Sequence, residues 1–164
     1  MNAVRCYVGL GGNIGEVRQT LHSALAALGG IPGTYLVRAS SLWRTAPVGH
    51  SDQPDFINAV AALDSTLAPH ALLDALLALE QRFGRKRSFA NAPRTLDLDL
   101  LLHGSALVSG PCLTLPHPRM HERAFVLAPL IEIDPDCIIP GHGRAADCIL
   151  RPEVSDQPIE RLAA

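Results

Sequence analysis

The sequence predicts an α+β fold, an antiparallel sheet with helices packed on it and additions at the C-terminal end. Three observations carry that prediction. Two stretches with helical spacing each lie between β-rich runs, in the order strand, helix, strand, strand, helix, strand. Glycines close both helical stretches. The run Arg94-Thr95-Leu96-Asp97-Leu98-Asp99-Leu100-Leu101-Leu102 alternates leucine with polar residues before its leucines run together. The 164 residues suit one domain, 1–164, with a substantial core, and 48% hydrophobic with 18% charged residues is the balance of a folded chain. A formal charge of -2 gives no reason to expect nucleic-acid or membrane binding. No signal peptide and no apolar run of bilayer length is apparent. The four cysteines form no Cys-x-x-Cys pair and read as reduced thiols of a cytoplasmic protein. Cys137, His142 and Cys148 match no standard zinc spacing.

Arg5 to Leu10 reads as the first strand. Gly9, Gly11, Gly12 and Gly15 follow as a turn that brings backbone close to something. That turn lacks the third glycine of a dinucleotide fingerprint, and there is no Gly-Lys-Ser/Thr. A helix runs from about Glu16 to Leu28, on Val17, Leu21, Ala24, Leu25 and Leu28. Tyr35 to Arg44 alternates as a second strand, and the loop Thr45–Pro54 holds two prolines and a glycine. Phe56 to Leu63 is the third strand, with Asn58 lodged among apolar residues. Its amide either bonds backbone at the strand start or reads the edge of a polar heterocycle.

Ser65 or Thr66 caps the second helix, Pro69 sits in its first turn and Gly84 ends it. Leu72, Leu73, Leu76, Leu79 and Phe83 line its buried side. The basic loop from Arg85 to Arg94 then feeds the fourth strand, expected in the sheet interior with its acidic face open. Leu113-Thr114-Leu115 is a brief strand, Pro118 suits a helix start, and Leu127, Leu130 and Ile131 supply that helix's apolar side. Cys137 to Pro140 is a last short strand, and the polar tail from about Glu153 is expected to be mobile. The whole order is the ferredoxin-like βαββαβ pattern.

Leu96, Leu98 and Leu100 share one face of the fourth strand; Asp97 and Asp99 share the other, roughly 6–7 Å apart at the backbone. Such a pair is either the wet face of an edge strand or a seat for hard cations. The arginines just upstream favour magnesium and phosphate. His117 and Arg123 are further phosphate candidates, although a lone histidine near a helix start also serves as a cap.

Several motifs occur together and in one order: Gly9-Leu10-Gly11-Gly12-Asn13, Trp43-Arg44-Thr45, Asp52-Gln53-Pro54-Asp55-Phe56-Ile57-Asn58-Ala59, Gly84-Arg85, Pro93 to Asp99, Pro116-His117-Pro118 and Arg123 to Leu127. From about Tyr7 to about Ile139 the chain resembles the 6-hydroxymethyl-7,8-dihydropterin pyrophosphokinases of folate biosynthesis. The resemblance implies transfer of pyrophosphate from ATP to the pterin hydroxymethyl group, with release of AMP. It implies that Asp97 and Asp99 hold two magnesium ions, with Arg94 and Arg85 also catalytic. It implies ATP contacts from Glu80, Arg85, Arg87, Arg94, Leu100, Thr114, His117 and Arg123. The pterin pocket would be Thr45, Ala46, Pro47, Val48, Phe56, Asn58 and Phe125, with the two phenylalanines sandwiching the ring. No residue is an obvious general base; either Asp97 helps or metal binding makes one unnecessary.

Asn91 stands where some members carry a tryptophan lid, leaving Phe89 as the aromatic available, and Ala92 and Cys112 stand where relatives carry glycine and arginine. By the same resemblance the loops Thr45–Pro54 and Arg85–Pro93 are expected to close over substrates, and a monomer is expected. Two other readings of the acid pair are a metal-dependent nucleotide-sugar transferase and a nucleotide- or pterin-binding module without chemistry. The first lacks a Rossmann half, and the second has no use for the acids beside Arg94.

Overall fold

A computed structural model describes residues 2–46, 54–84 and 95–163. Three long strands make the middle of its main sheet: β1 (Val4–Gly12), β4 (Phe56–Ser65) and β5 (Asp97–His103). β2 (Thr34–Ala39) and β3 (Trp43–Thr45) pair with opposite ends of β4, and β10 (Ile159–Arg161) pairs with β3. Among the described residues the order is β10-β3-β4-β1-β5, with every pairing antiparallel. α1 (Val17–Gly29) and α2 (Pro69–Arg82) cover one face. Leu21, Leu28, Leu72 and Leu76 are buried there against Val8, Leu10, Leu63 and Leu98. This is the expected α+β arrangement.

The other face is partly covered. β6 (Val108–Ser109) and β7 (Thr114–Leu115) form a small hairpin, and a 3-10 turn (Met120–Glu122) leads into α3 (Ala124–Ile133). β8 (Ile138–Ile139), β9 (Gly143–Arg144), α4 (Ala145–Cys148) and α5 (Pro152–Ser155) follow. Leu127, Leu130, Cys148 and Val154 pack with Tyr7, Val60 and Leu101 into a second core. The face expected to be open is therefore open only at one end of the sheet.

Several elements differ from expectation for identifiable reasons. The predicted strand Tyr35–Arg44 is two strands, because at Ser40 a side chain competes for ladder partners. Ser40 N–H donates to Val60 O at 2.9 Å, while its Oγ accepts Val60 N–H at 2.9 Å. β1 continues through the glycines to Gly12, since β4 and β5 pair with it on both sides. β5 is an edge strand among the described residues, not an interior one. Its Leu101 carbonyl accepts His117 N–H at 2.9 Å. The register of β5 on β1 slips between Tyr7 and Val8, which pair with Leu102 and Leu100. The extra residue, Leu101, turns to the second core, which explains how Leu100, Leu101 and Leu102 are all buried.

Ser65 and Thr66 do not cap α2. Ala68 occupies the N-cap, and Ser65 Oγ instead bonds Thr34 Oγ1 at 2.8 Å and accepts Leu67 N–H at 3.1 Å. α3 starts at Ala124, well beyond Pro118. The segment from Glu153, expected as a mobile tail, forms α5 and β10, with Val154 and Leu162 buried.

One buried carboxylate belongs to this framework. Glu80, 3% exposed on the inner side of α2, accepts Leu98 N–H at 2.6 Å. It thus ties an amide of the edge strand between Asp97 and Asp99 to a helix. Glu80→Ala should lower stability by about 1–3 kcal/mol, because the amide stays buried without that acceptor. Urea unfolding measures this; an unchanged midpoint would remove Glu80 from the framework.

Candidate active site

The site is built on the end of the sheet that α3 leaves uncovered. Residues opposite one another in an antiparallel pairing share a face. Asn58 of β4, Gly11 of β1 and Asp97 of β5 therefore form one row, and Val60, Gly9 and Asp99 the next. With neighbouring strands about 4.8 Å apart, Asn58 and Asp97 stand about 10 Å apart across a glycine. The gap is required: a Cβ on Gly11 would lie 2.7 Å from Asn58 Oδ1. Asn13, at the end of β1, donates from Nδ2 to Pro54 O at 3.1 Å and ties the glycine run to the start of β4. Asn58 is 6% exposed, and its Nδ2 has no hydrogen-bond partner among the described residues. A buried amide left so is suited to a ligand.

Walls rise around this floor to enclose a cleft of about 840 Å³. Thr45, Ala46 and Phe56 come from β3 and β4; Arg123, Phe125 and Val126 come from the start of α3. Arg119, His121 and Glu122 line it from the preceding turn, and Arg151, Gln157 and Pro158 from the chain around α5. One end is acidic and arginine-rimmed, the other aromatic.

Charge is arranged around Asp97 and Asp99. Burial lowers the pKa of Arg123, Asp99 opposes that, and Arg119 adds to the lowering. Arginine stays protonated through such a shift. The Arg123 guanidinium carbon lies 5.5 Å from the centre of the Phe125 ring, a cation–π contact joining the two ends of the cleft. His117 is pushed down to about 4 by burial and then by Arg123, against the pull of Asp97. Its Nδ1 accepts Arg119 N–H at 3.2 Å, which assigns the proton of the neutral ring to Nε2. His121 is also lowered, first by burial and then by His142, on which it stacks at 3.7 Å.

Of the residues expected at the site, Asp97, Asp99, Arg123, Thr45, Ala46, Phe56, Asn58 and Phe125 line this one cleft. His117 interacts electrostatically with Asp97 and Arg123 without forming a wall. Thr114 lines a separate hollow of about 350 Å³. Leu100 is buried in the helix-side core, and Glu80 lies beneath β5, so neither side chain enters the cleft. Pro47, Val48, Arg85, Arg87, Phe89, Asn91 and Arg94 lie outside the described residues, with most of both expected closing loops. The sequence reading missed Arg119, His121, Arg151 and Gln157. Arg119 could have been suspected from its place two residues after His117; Arg151 and Gln157 sit in what reads as a polar tail.

Fold and site together define a ferredoxin-like protein whose cleft sets a carboxylate pair and an arginine beside two phenylalanines. Residues 7–135 match the family model described as 7,8-dihydro-6-hydroxymethylpterin-pyrophosphokinase. A Pseudomonas aeruginosa protein named 2-amino-4-hydroxy-6-hydroxymethyldihydropteridine pyrophosphokinase is 50% identical over 136 residues, 83% of this chain and 84% of the relative. A Haemophilus influenzae protein of the same name is 42% identical over 137 residues, 84% of this chain and 86% of the relative. A crystal structure of Plasmodium falciparum HPPK-DHPS with pterin and p-hydrobenzoate superposes with a TM-score of 0.71 at 11% identity. All of this chain aligns, to 49% of that longer chain, and at that identity the likeness concerns the fold alone. The chain belongs to the 7,8-dihydro-6-hydroxymethylpterin-pyrophosphokinase family.

The His117 shift has a definite sign. A histidine whose folded pKa falls below its unfolded value contributes stability fully above the unfolded value, near 6.5. That contribution is lost as pH falls toward about 4, where the folded form also protonates. Ring-nitrogen NMR of the ligand-free protein should find His117 neutral, with its proton on Nε2, at pH 6. A midpoint near 6.5 would show the ring to be solvated and the assignment mistaken.

Proposed function

We propose that the chain transfers the pyrophosphoryl group of ATP to the hydroxymethyl group of 6-hydroxymethyl-7,8-dihydropterin and releases AMP, a step of folate biosynthesis. The observation that carries this reading is the row Asn58–Gly11–Asp97, which sets an amide with a free donor and a carboxylate at opposite sides of one side-chain-free floor. The names of the relatives support it.

In this reading the pterin lies at the aromatic end. Phe56 and Phe125 hold its faces, Asn58 pairs with its amide edge, and Thr45, Ala46, Pro47 and Val48 complete the slot. The triphosphate lies at the acidic end, met by Arg123, by the Nε2–H of neutral His117, and by Arg85, Arg87 and Arg94. The hydroxymethyl oxygen attacks the β-phosphorus, the bond from that phosphorus to the α,β-bridging oxygen breaks, and AMP departs with that oxygen. The hydroxyl proton passes to solvent or to a carboxylate.

Asp97 and Asp99 suit magnesium. They are hard oxygen donors on one face, above glycines that leave room for a hydrated ion. Among the described residues no group of three or more His, Cys, Asp or Glu side chains could hold a metal, so phosphate and water would complete the shell. When bound, a pair of such ions would neutralise phosphate charge and favour in-line displacement. The protein's own share is mostly orientation and charge placement on a rigid sheet.

No helix among the described residues is long and apolar enough to cross a membrane. The thiols of Cys6 and Cys137 are pushed up to about 12, chiefly by burial, and a reducing, cytoplasmic setting is part of the proposal.

Incubation with ATP, magnesium and the hydroxymethyldihydropterin should yield AMP only when the pterin is present. Folded protein that leaves ATP intact would sink the proposal in favour of a binding module. Asp97→Ala and Asp99→Ala should each cut turnover by orders of magnitude while pterin binding, read by calorimetry, stays within a few-fold. Normal turnover in either variant would take the carboxylates out of the mechanism.

A further inference from the structure

α3 begins with a conflict. Its N-cap is Arg123, whose long cationic side chain is directed to the acidic end of the cleft and makes no cap bond. An arginine cannot accept a hydrogen bond, so the first amides of the helix need an acceptor from elsewhere. Gln157, which precedes β10, supplies it. Its Oε1 accepts Ala124 N–H at 2.9 Å, while its Nε2 donates to Glu122 O at 2.7 Å and to Glu153 O at 3.0 Å. One carboxamide thus closes on both sides of Arg123 and also on α5.

The segment that carries Gln157 is itself anchored across the cleft. Ile159, Glu160 and Arg161 pair with Thr45, Arg44 and Trp43, and Leu162 N–H donates to Leu42 O at 2.8 Å. Val154 and Leu162 are buried, and Arg44 pairs with Glu160 at 3.0 Å. This strap lies beyond residues 7–135, the span of the family match. It joins the wall bearing Thr45 to the wall bearing Arg123 and Phe125.

We propose that Gln157 is a positioning residue: it makes the cap bond that the Arg123 side chain cannot make for α3 and so holds Arg123 and Phe125, on either side of Ala124, in register with the floor of the cleft. Although Gln157 borders the cleft, its carboxamide is taken up by these three bonds to the chain around Arg123 and α5. The inference rests on the reading of this cleft as the pyrophosphokinase site.

The test is Gln157→Met, which keeps the side-chain volume and removes all three bonds. At a temperature where circular dichroism shows the variant fully folded, KM for both the pterin and ATP should rise about five- to tenfold. Partial unfolding would lower the maximal rate and leave KM unchanged, so unchanged KM values overturn the proposal. Hydrogen exchange on the wild-type protein decides the matter even if the variant does not fold. The Ala124 amide should share the opening free energy of the Leu162 amide, which bonds Leu42 O, and of the Glu160 amide in the next bonded pair of the ladder. Exchange of Ala124 with the α3 interior, independent of the strap, would overturn the coupling. The exchange result needs no turnover, so a wild-type protein without activity would refute the proposed function and leave the clamp to be judged separately.

Discussion

The site depends on a strand that is central in the sheet and bare where the cleft needs a floor. Gly9 and Gly11 lie on the same face of β1, each between a residue of β4 and an aspartate of β5. Glycine inside a strand costs roughly 0.5–1 kcal/mol relative to alanine. Asp and Asn are also poor strand formers. A row such as Asn58–Gly11–Asp97 would not form a sheet from its own preferences. It is held because every second residue of the same strands faces the helices: Val8 and Leu10 on β1, Leu98 and Leu100 on β5, Ala61 and Leu63 on β4. Strand alternation thus separates stability from chemistry, one face for each.

Along that second face the surface changes from filled to empty within a few residues. Tyr7 is packed under α3, its hydroxyl donating to Asp134 at 2.6 Å, whereas Gly9 and Gly11 line the cleft. The bulge beside Tyr7 marks the change by sending Leu101 up beside Gly9. α3 has to stop at this boundary and stay there. Its C-terminal end is fixed by Arg38, which donates to Ile133 O at 3.0 Å. Glu132 is fixed by the Ser41 amide and by Trp43 Nε1, each at 3.1 Å. Burial would raise the pKa of Glu132, but these bonds outweigh it and hold the carboxylate below its usual range. The helix is pinned at the far end by the strands and at the near end by the strap.

The sequence made the periodic parts legible and the non-local parts much less so. Helical spacing located α1 to within a residue and the start of α2 to within two or three, and Leu96 to Leu100 disclosed its two faces. Glycine misled at Gly11 and Gly12, where local preference says turn, while the β4 ladder holds both in the strand and the β5 ladder holds Gly11. Pairing partners are invisible along a chain, so neither the edge position of β5 nor the break at Ser40 could be read. Glu80 had a motif-based role at the nucleotide, while its bond to Leu98 depends on how α2 packs under β5. The last segment looked like a polar tail because its anchors, Val154, Ile159 and Leu162, are sparse and its main work is done by backbone and one glutamine. At the site, residues from contiguous motifs were found, and those delivered by the fold alone were not.

The charges follow from the same economy of space. Two aspartates, two arginines and a histidine meet at the acidic end, with Arg123 and His117 both substantially removed from water. A protonated His117 beside Arg119 and Arg123 would add a third cation in a poorly solvated place, and its fall to about 4 expresses that cost. The neutral ring still offers one N–H to an anion, so the site gains a donor without gaining a charge. At position 123 the requirement is opposite. The group must stay charged despite burial and a neighbouring arginine, and it must sit over the Phe125 ring. A lysine there would be prone to lose its proton and has no planar face to lay on the ring. Arginine meets both demands and cannot cap the helix it begins, which is why the capping acceptor comes from a residue 34 positions further along the chain.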